Sequence, residues 1–417
     1  MKRRKGFTIV YTMFFILLII LIITAFASFS YSGLGMAGRA CDTMRAYYIA
    51  EAGLARKAME LKTGSTSSMT GIFTIGTGNA GNYSVAVTLV TGGVFSTYRL
   101  DSTGTYRNIS KNVSLTLRQV SYTRFSYLSN DEDRMFWWGE APIWFITGDI
   151  LTGPVYSNDQ FNISGSPIFE GPVSSAASSI NYYHGGPPTD NPTFQSSLTL
   201  GAPIVQLPAF SSNVKAASQN GGLYLTGNTV VTLLADGTMN VTNSAQQWTS
   251  HNMPLPANGA LFVSGGYVDV SGTINGQLTL GTDRNIYVMN NIRYNSDPRV
   301  NPNSQDVLGL IAQNNVYVDA GAPYNLEIDA YIIALNTSFT VVNYQYGLKG
   351  ILTVYGGMTQ QRRGPIGTFN ASTNQKVSGY TKDYEYDERL EDMSPPYFPP
   401  ATDSVGIIYV KTLWSES

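Results

Sequence analysis

Residues 2–29 read KRRKGFTIVYTMFFILLIILIITAFASF, and the disposition of the rest of the chain follows from them. Lys2, Arg3, Arg4 and Lys5 form a basic cluster, Gly6 follows, and no charge occurs from Phe7 until Arg39. About 20 apolar residues at ~1.5 Å each span a bilayer, and this run is slightly longer. Inside lipid it must be helical, because only a helix satisfies every backbone group there. The basic cluster predicts a cytoplasmic amino terminus, with the remaining chain on the far side of the cytoplasmic (inner) membrane.

Two readings of this stretch compete. One is a plain signal anchor, or a secretory signal peptide cut near Ala25-Phe26-Ala27, a weak small-residue site behind a long apolar run. The other rests on Lys5-Gly6-Phe7-Thr8, which resembles the class III leader of type IV pilins and pseudopilins. That resemblance implies cleavage by a prepilin peptidase between Gly6 and Phe7, with the apolar helix kept for packing in a filament.

Residues 40–62, ACDTMRAYYIAEAGLARKAMELK, are rich in good helix formers. Ala40, Met44, Tyr47, Tyr48, Leu54, Ala58 and Leu61 recur at three- and four-residue steps, predicting an amphipathic helix. Within it Ala50-Glu51-Ala52-Gly53-Leu54 resembles a signature of PilX-like minor pilins. Tyr47, Tyr48 and Leu54 are expected to face the core. Glu51 has Ala55 rather than a base at i+4, so it is expected to cap or to contact an adjoining sheet. Many major pilins carry glutamate at the fifth mature residue; that position is Tyr11 here, which suits a subunit present once at a tip. The implied partners are other pilin or pseudopilin subunits and the inner-membrane assembly machinery. Cys41 is the only cysteine, so no internal disulfide forms. It is expected to be a small helix-packing residue, the alternative being an intermolecular disulfide.

The segment 30–38, SYSGLGMAG, interrupts the helix signal, since each glycine costs about 1 kcal/mol relative to alanine. Thr63 to Ser68 reads as a linker. Over 71–120 about four antiparallel strands are expected to pack on the helix, the clearest being Asn112–Arg118, which alternates polar and apolar.

Beyond Tyr122 short apolar strands alternate with Gly, Asn and Asp turns, as in Tyr267-Val268-Asp269-Val270 and Leu308-Gly309-Leu310-Ile311-Ala312. This pattern predicts a β-solenoid, with a β-sandwich as alternative. Residues 174–220 and 243–258 read as surface loops. The Tyr/Pro-rich end, 379–417, reads as an extended tail over the scaffold, since prolines do not join central strands. Gly153-Pro154-Val155-Tyr156-Ser157-Asn158 and this tail resemble an uncharacterised domain family found behind pilin-like leaders. The expected organisation is therefore a leader (1–6), a transmembrane and amphipathic helix (7–62), a pilin-like antiparallel sheet (63–121), a β-rich solenoid domain (122–378) and the tail. In class it is α+β, then mostly β.

Charged residues are 13% of the chain and the net charge is −2, which excludes a nucleic-acid surface built on clustered bases. After the leader, basic residues are scattered apart from the doublets Arg56-Lys57 and Arg362-Arg363. The two histidines, His184 and His251, lie in polar stretches; there is no Gly-x-Ser-x-Gly elbow, Cys/His metal spacing or phosphate loop. No cofactor, metal or catalytic residue is assigned. Carboxylates are the remaining chemistry: Asp269, Asp319, Glu327 and Asp329 lie on or beside strands, where paired carboxylates would cut glycans. They read first as solvated outward-facing residues. Asp131, Glu132 and Asp133 form an acidic cluster without EF-hand spacing. Trp137, Trp138 and Trp144 fill a core or stack on sugars. The reading is a minor pilin-like subunit at a filament tip, priming assembly or adhering to a surface or glycan ligand. The alternative is a membrane-anchored surface β-solenoid that binds or cleaves polysaccharide.

Overall fold

The computed structural model describes residues 7–75, 79–93, 95–136, 139–208, 210–370, 372–373 and 375–416. Lys2, Arg3, Arg4, Lys5 and Gly6, and the pair Trp137-Trp138, lie outside the described residues. The chain divides into two units, one of Met1–Val90, Thr97–Arg118 and Lys411–Ser417, the other of Thr91–Ser96 and Gln119–Val410.

The first unit is dominated by helix α1, Phe7–Lys62. From Ile9 to Ile23 every large apolar side chain is exposed, and the helix is long and apolar enough to cross a membrane. The interruption expected over 30–38 is absent, for α1 runs unbroken through Gly33, Gly35 and Gly38. Three glycine penalties of about 1 kcal/mol each do not end a helix that strong formers continue on both sides. The second half of α1 packs on a sheet of β1 (Met69–Ile75), β2 (Asn79–Thr91), β3 (Thr97–Tyr106) and β4 (Ile109–Gln119). β1 pairs antiparallel with β2, and β3 with β4. The alternation in β4 buries Val113, Leu115 and Leu117, as its sequence predicts. A fifth strand, Tyr409–Glu416, joins beyond β4; the run IIYVKTLW over 407–414 has the β-branched and aromatic composition of a strand.

The second unit is mostly strand, and its pairings are mostly parallel. One ladder runs through Leu223–Thr226, Ala260–Ser264, Gln277–Thr282, Val307–Ala312, Leu326–Ala334 and Leu348–Arg362. It then continues into earlier sequence, through Tyr127–Asp131, Val155–Ser157, Val173–Ser175 and Leu198–Leu200. The chain thus enters the ladder in its middle, builds to one end at Leu200, and re-enters at the other end at Leu223. Register keeps like beside like: Leu261, Leu280, Leu310, Ile332, Met358, Tyr127, Val155 and Val173 follow one another as direct partners. All eight are buried in one core. Strands buried on both faces read as continuous apolar runs, which is why Val307–Ala312 is buried at every position. Further parallel ladders join Gln375–Tyr386 to Ile150–Leu151 and Ile168–Phe169, and Val268–Ile274 to Ile286–Tyr294 and Val316–Val318.

Three sequence expectations change here. Residues 174–220 lie largely at the surface, as expected, but are not all loop: they hold short ladder strands up to Leu200, and Val205 and Val214 are buried in a second apolar cluster with Phe262 and Phe398. Two- and three-residue rungs between Ser, Asn and Gly turns leave too little apolar sequence to see. Within 243–258, Trp248–Pro254 is a strand antiparallel to Thr238–Asn243. The expected tail divides into three: residues to Tyr386 complete a ladder strand, Pro395–Ala401 lies over the sheet, and Tyr409–Glu416 is the fifth strand of the first unit's sheet.

Candidate functional site

On α1 the residues that meet the sheet are Ala46, Ile49, Ala50, Leu54, Lys57 and Leu61, all buried. Their spacing is helical, but the face is rotated from the one expected: Tyr48 and Met44 are exposed, and Tyr47 is only partly buried. Small residues explain the rotation. A Cβ on Gly104 would lie 2.2 Å from the Ala46 carbonyl and 2.3 Å from the Ala50 nitrogen, so strand and helix backbones nearly touch. Ser102 Oγ donates to the Ala50 carbonyl at 2.7 Å. A Cβ on Gly53 would lie 2.7 Å from the Tyr83 ring. Of Ala50-Glu51-Ala52-Gly53-Leu54, then, Ala50, Gly53 and Leu54 are buried, while Glu51 and Ala52 stand at the edge. Glu51 accepts from the Tyr47 hydroxyl at 3.1 Å, a partner one turn back, and that hydroxyl also donates to Glu416 at 2.7 Å. Cys41 is exposed and free, so it does not pack the helix in this chain.

In the second unit the carboxylates separate into different surroundings. Glu327 and Asp329 meet Arg299, which reaches Asp297 at 2.9 Å, Glu327 at 2.7 Å, Glu385 at 3.5 Å and Asp329 at 3.7 Å. The Arg299 guanidinium also lies 4.6 Å from the Tyr355 ring centroid. Arg299, Tyr355, Asp383, Glu385 and Arg389 line an open groove of about 690 Å³. Burial, with the Glu327 charge adding, pushes the Asp329 carboxyl up to about 7, although the Tyr294 amide and Arg299 oppose it. Asp269 and Asp319 lie elsewhere; burial and then the Asp319 charge raise the Asp269 carboxyl.

A pH dependence follows. A carboxyl raised in the folded state binds a proton that the unfolded chain has released, so stability falls as pH rises from about 4 to about 7 and is flat above. Asp329 is buried, and a carboxyl raised from about 4 to about 7 corresponds to an expected loss of about 4 kcal/mol. Urea unfolding across this range should show it, and Asp329→Asn should flatten the curve; an unchanged slope in that variant would refute the assignment.

The acidic cluster Asp131-Glu132-Asp133 is held by arginines. Arg362 pairs with Asp131 at 3.2 Å and Arg363 with Glu132 at 2.9 Å. Arg363 and Glu132 are both buried, so this is an interior ion pair that the Arg362-Arg363 doublet signals only in hindsight. Trp144 supplies a backbone acceptor to Arg363 at 3.2 Å. Its ring meets Tyr183 edge-on at 4.9 Å and borders a cavity of about 220 Å³. Of the histidines, His184 Nδ1 lies 2.9 Å from buried Asp190, and His251 stacks on Trp248.

Residues 82–178 match a family described as a domain of unknown function (DUF4900). The match covers a minority of the chain and includes Gly153–Asn158, though not the Tyr/Pro-rich end. No curated protein matches. Among solved structures, the competence-associated pilin ComZ from Thermus thermophilus aligns over 90% of this chain and 98% of its own, at 11% identity and a TM-score of 0.37.

Proposed function

We propose that this chain is a minor pilin-like subunit of a type IV pilus or related filament, anchored first in the cytoplasmic membrane and then placed at or near the filament tip. The observation that carries this is α1, a single helix of 56 residues, apolar and uncovered in its first half and laid on an antiparallel sheet in its second. The Lys5-Gly6-Phe7 leader and the PilX-like Ala50–Leu54 signature support the same reading, with prepilin peptidase, assembly machinery and other pilin subunits as partners. The in-register parallel ladders support a β-solenoid for the second unit, where a sandwich would pair its strands antiparallel. The role is structural or adhesive rather than enzymatic. Packed helices sit about 8–10 Å apart, far less than the width of a domain this size, and Tyr11 offers no carboxylate to a neighbour's amino terminus. Both favour low copy number.

Two measurements test this. Mass spectrometry should find Phe7 as the amino terminus, and Gly6→Val should leave the precursor uncut in the membrane; an intact Met1 or a cut near Ala27 rejects the pilin reading. Immunogold against the second unit should label filament ends. Gold along whole filaments would overturn the tip position, and gold only on cells without filaments would overturn incorporation.

A further inference from the structure

The cavity beside Trp144 has features that the pilin reading does not use. Its walls are the rings of Trp144, Tyr344 and Phe369 with flanking prolines and isoleucines, and its polar groups are Asp149, Lys382, Lys376 and Thr368. At about 220 Å³ it is smaller than the ~300–1,000 Å³ of drug-sized pockets, so it has room for one ring rather than an extended chain. The walls are fixed in place: Trp144 is braced edge-on by Tyr183, and the Arg134 guanidinium lies 5.2 Å from the Tyr344 ring centroid.

The two lysines differ. Lys382 is buried and neutralised by Asp149 at 2.5 Å. Lys376 Nζ instead donates to two backbone carbonyls, Lys349 O at 2.6 Å and Gly350 O at 3.2 Å. Among the described residues no carboxylate pairs with it. The cavity therefore carries one more positive than negative charge, and burial already disfavours the Lys376 cation, lowering its pKa. An ammonium has three donors, so one remains for a ligand. A carboxylate delivered there would gain a charge-assisted bond in partly desolvated surroundings. Aromatic walls suit the apolar C–H faces of a sugar ring, and the Thr368 hydroxyl and Asp149 carboxylate around it suit a ring bearing hydroxyls.

We propose that this cavity binds a carboxylated pyranose, a hexuronic acid residue of an acidic polysaccharide, with its ring between the aromatic walls and its carboxylate on Lys376. The inference is independent of whether the chain enters a filament.

The test uses the full chain in lipid nanodiscs and saturation-transfer NMR with galacturonate, galactose and benzoate. Galacturonate should bind, and galactose should bind about tenfold more weakly, the ratio expected for one charge-assisted hydrogen bond. Lys376→Met should make the two sugars equal, and Trp144→Ala should remove both. Circular dichroism and melting establish that each variant folds; the sugar ratio in the unaltered chain needs no variant at all. No binding of galacturonate, equal binding of galactose by the unaltered chain, or tighter binding of benzoate than of galacturonate would each overturn the proposal.

Discussion

Arg363→Met should destabilise the second unit by about 3–5 kcal/mol, because it leaves the Glu132 carboxylate buried without its counter-charge. The side chain of Arg363 is 2% exposed and that of Glu132 is fully buried, with Nη1 and Oε2 2.9 Å apart. The guanidinium also lies 3.3 Å from the Phe145 ring centroid and donates to the Trp144 carbonyl. On the other side Glu132 accepts from the hydroxyls of Tyr127, at 3.1 Å, and of Ser129. Those neutral donors do not replace a cation. Methionine keeps much of the volume, so the loss reports charge rather than a cavity. The double variant Glu132→Gln with Arg363→Met should recover much of the loss, since a neutral amide can still accept from Tyr127. Urea unfolding in detergent micelles, followed by the fluorescence of Trp144 and Trp248, measures both. A single-variant loss under about 1 kcal/mol, in the range of exposed pairs, would mean that water reaches the site.

How far these features were legible in sequence depended on the period of the pattern. The apolar run from Phe7 and the alternation of Asn112–Arg118 are long enough to set a helix and a half-buried strand without help. The buried face of α1 is not the stripe of its largest residues, because small residues make the closest contact with the sheet. Tyr48 and Met44 look like core, yet it is Ala46, Ala50 and Gly53 that let the sheet approach to backbone distance. Short apolar strands over 260–355 are visible, but their partners are not, because a parallel rung pairs with distant sequence, as Leu261 does with Leu280 and Leu280 with Leu310. No local signal marks that the chain starts its ladder at Tyr127, midway, and returns to it through Met358. The groove around Arg299 gathers carboxylates from Asp297 to Glu385, which only register brings together. The ion pair of Glu132 and Arg363 is hidden for the same reason, its halves lying 231 residues apart in an acidic cluster and a basic doublet.

Phe398→Ala should cost about 3–5 kcal/mol, the usual price of deleting a fully packed aromatic ring. The prolines around it read as a segment kept out of the sheet, and so they are, but the segment is not loose. Phe398 is 2% exposed and meets Tyr331 edge-on with centroids 5.5 Å apart. Its ring occupies the space a side chain at position 309 would need: a Cβ on Gly309 would lie 2.2 Å from Phe398 Cε2. The Gly309 position, inside an otherwise large-residue strand, is therefore a socket for this ring. Around it the outer face of the ladder presents Phe262, Ile311 and Ile333, which Val214, Leu390 and Ala401 complete as one buried cluster. Removing the ring opens a cavity under the segment, while the bond from Thr279 Oγ1 to the Pro396 carbonyl, 2.5 Å, still holds one end. Partial tethering should leave the fold intact but make residues 395–401 more readily cleaved by protease. Gly309→Leu should reproduce both effects from the opposite side, by filling the socket and expelling the ring. A Phe398→Ala variant as stable and as protease-resistant as the parent would show that the cluster closes without it.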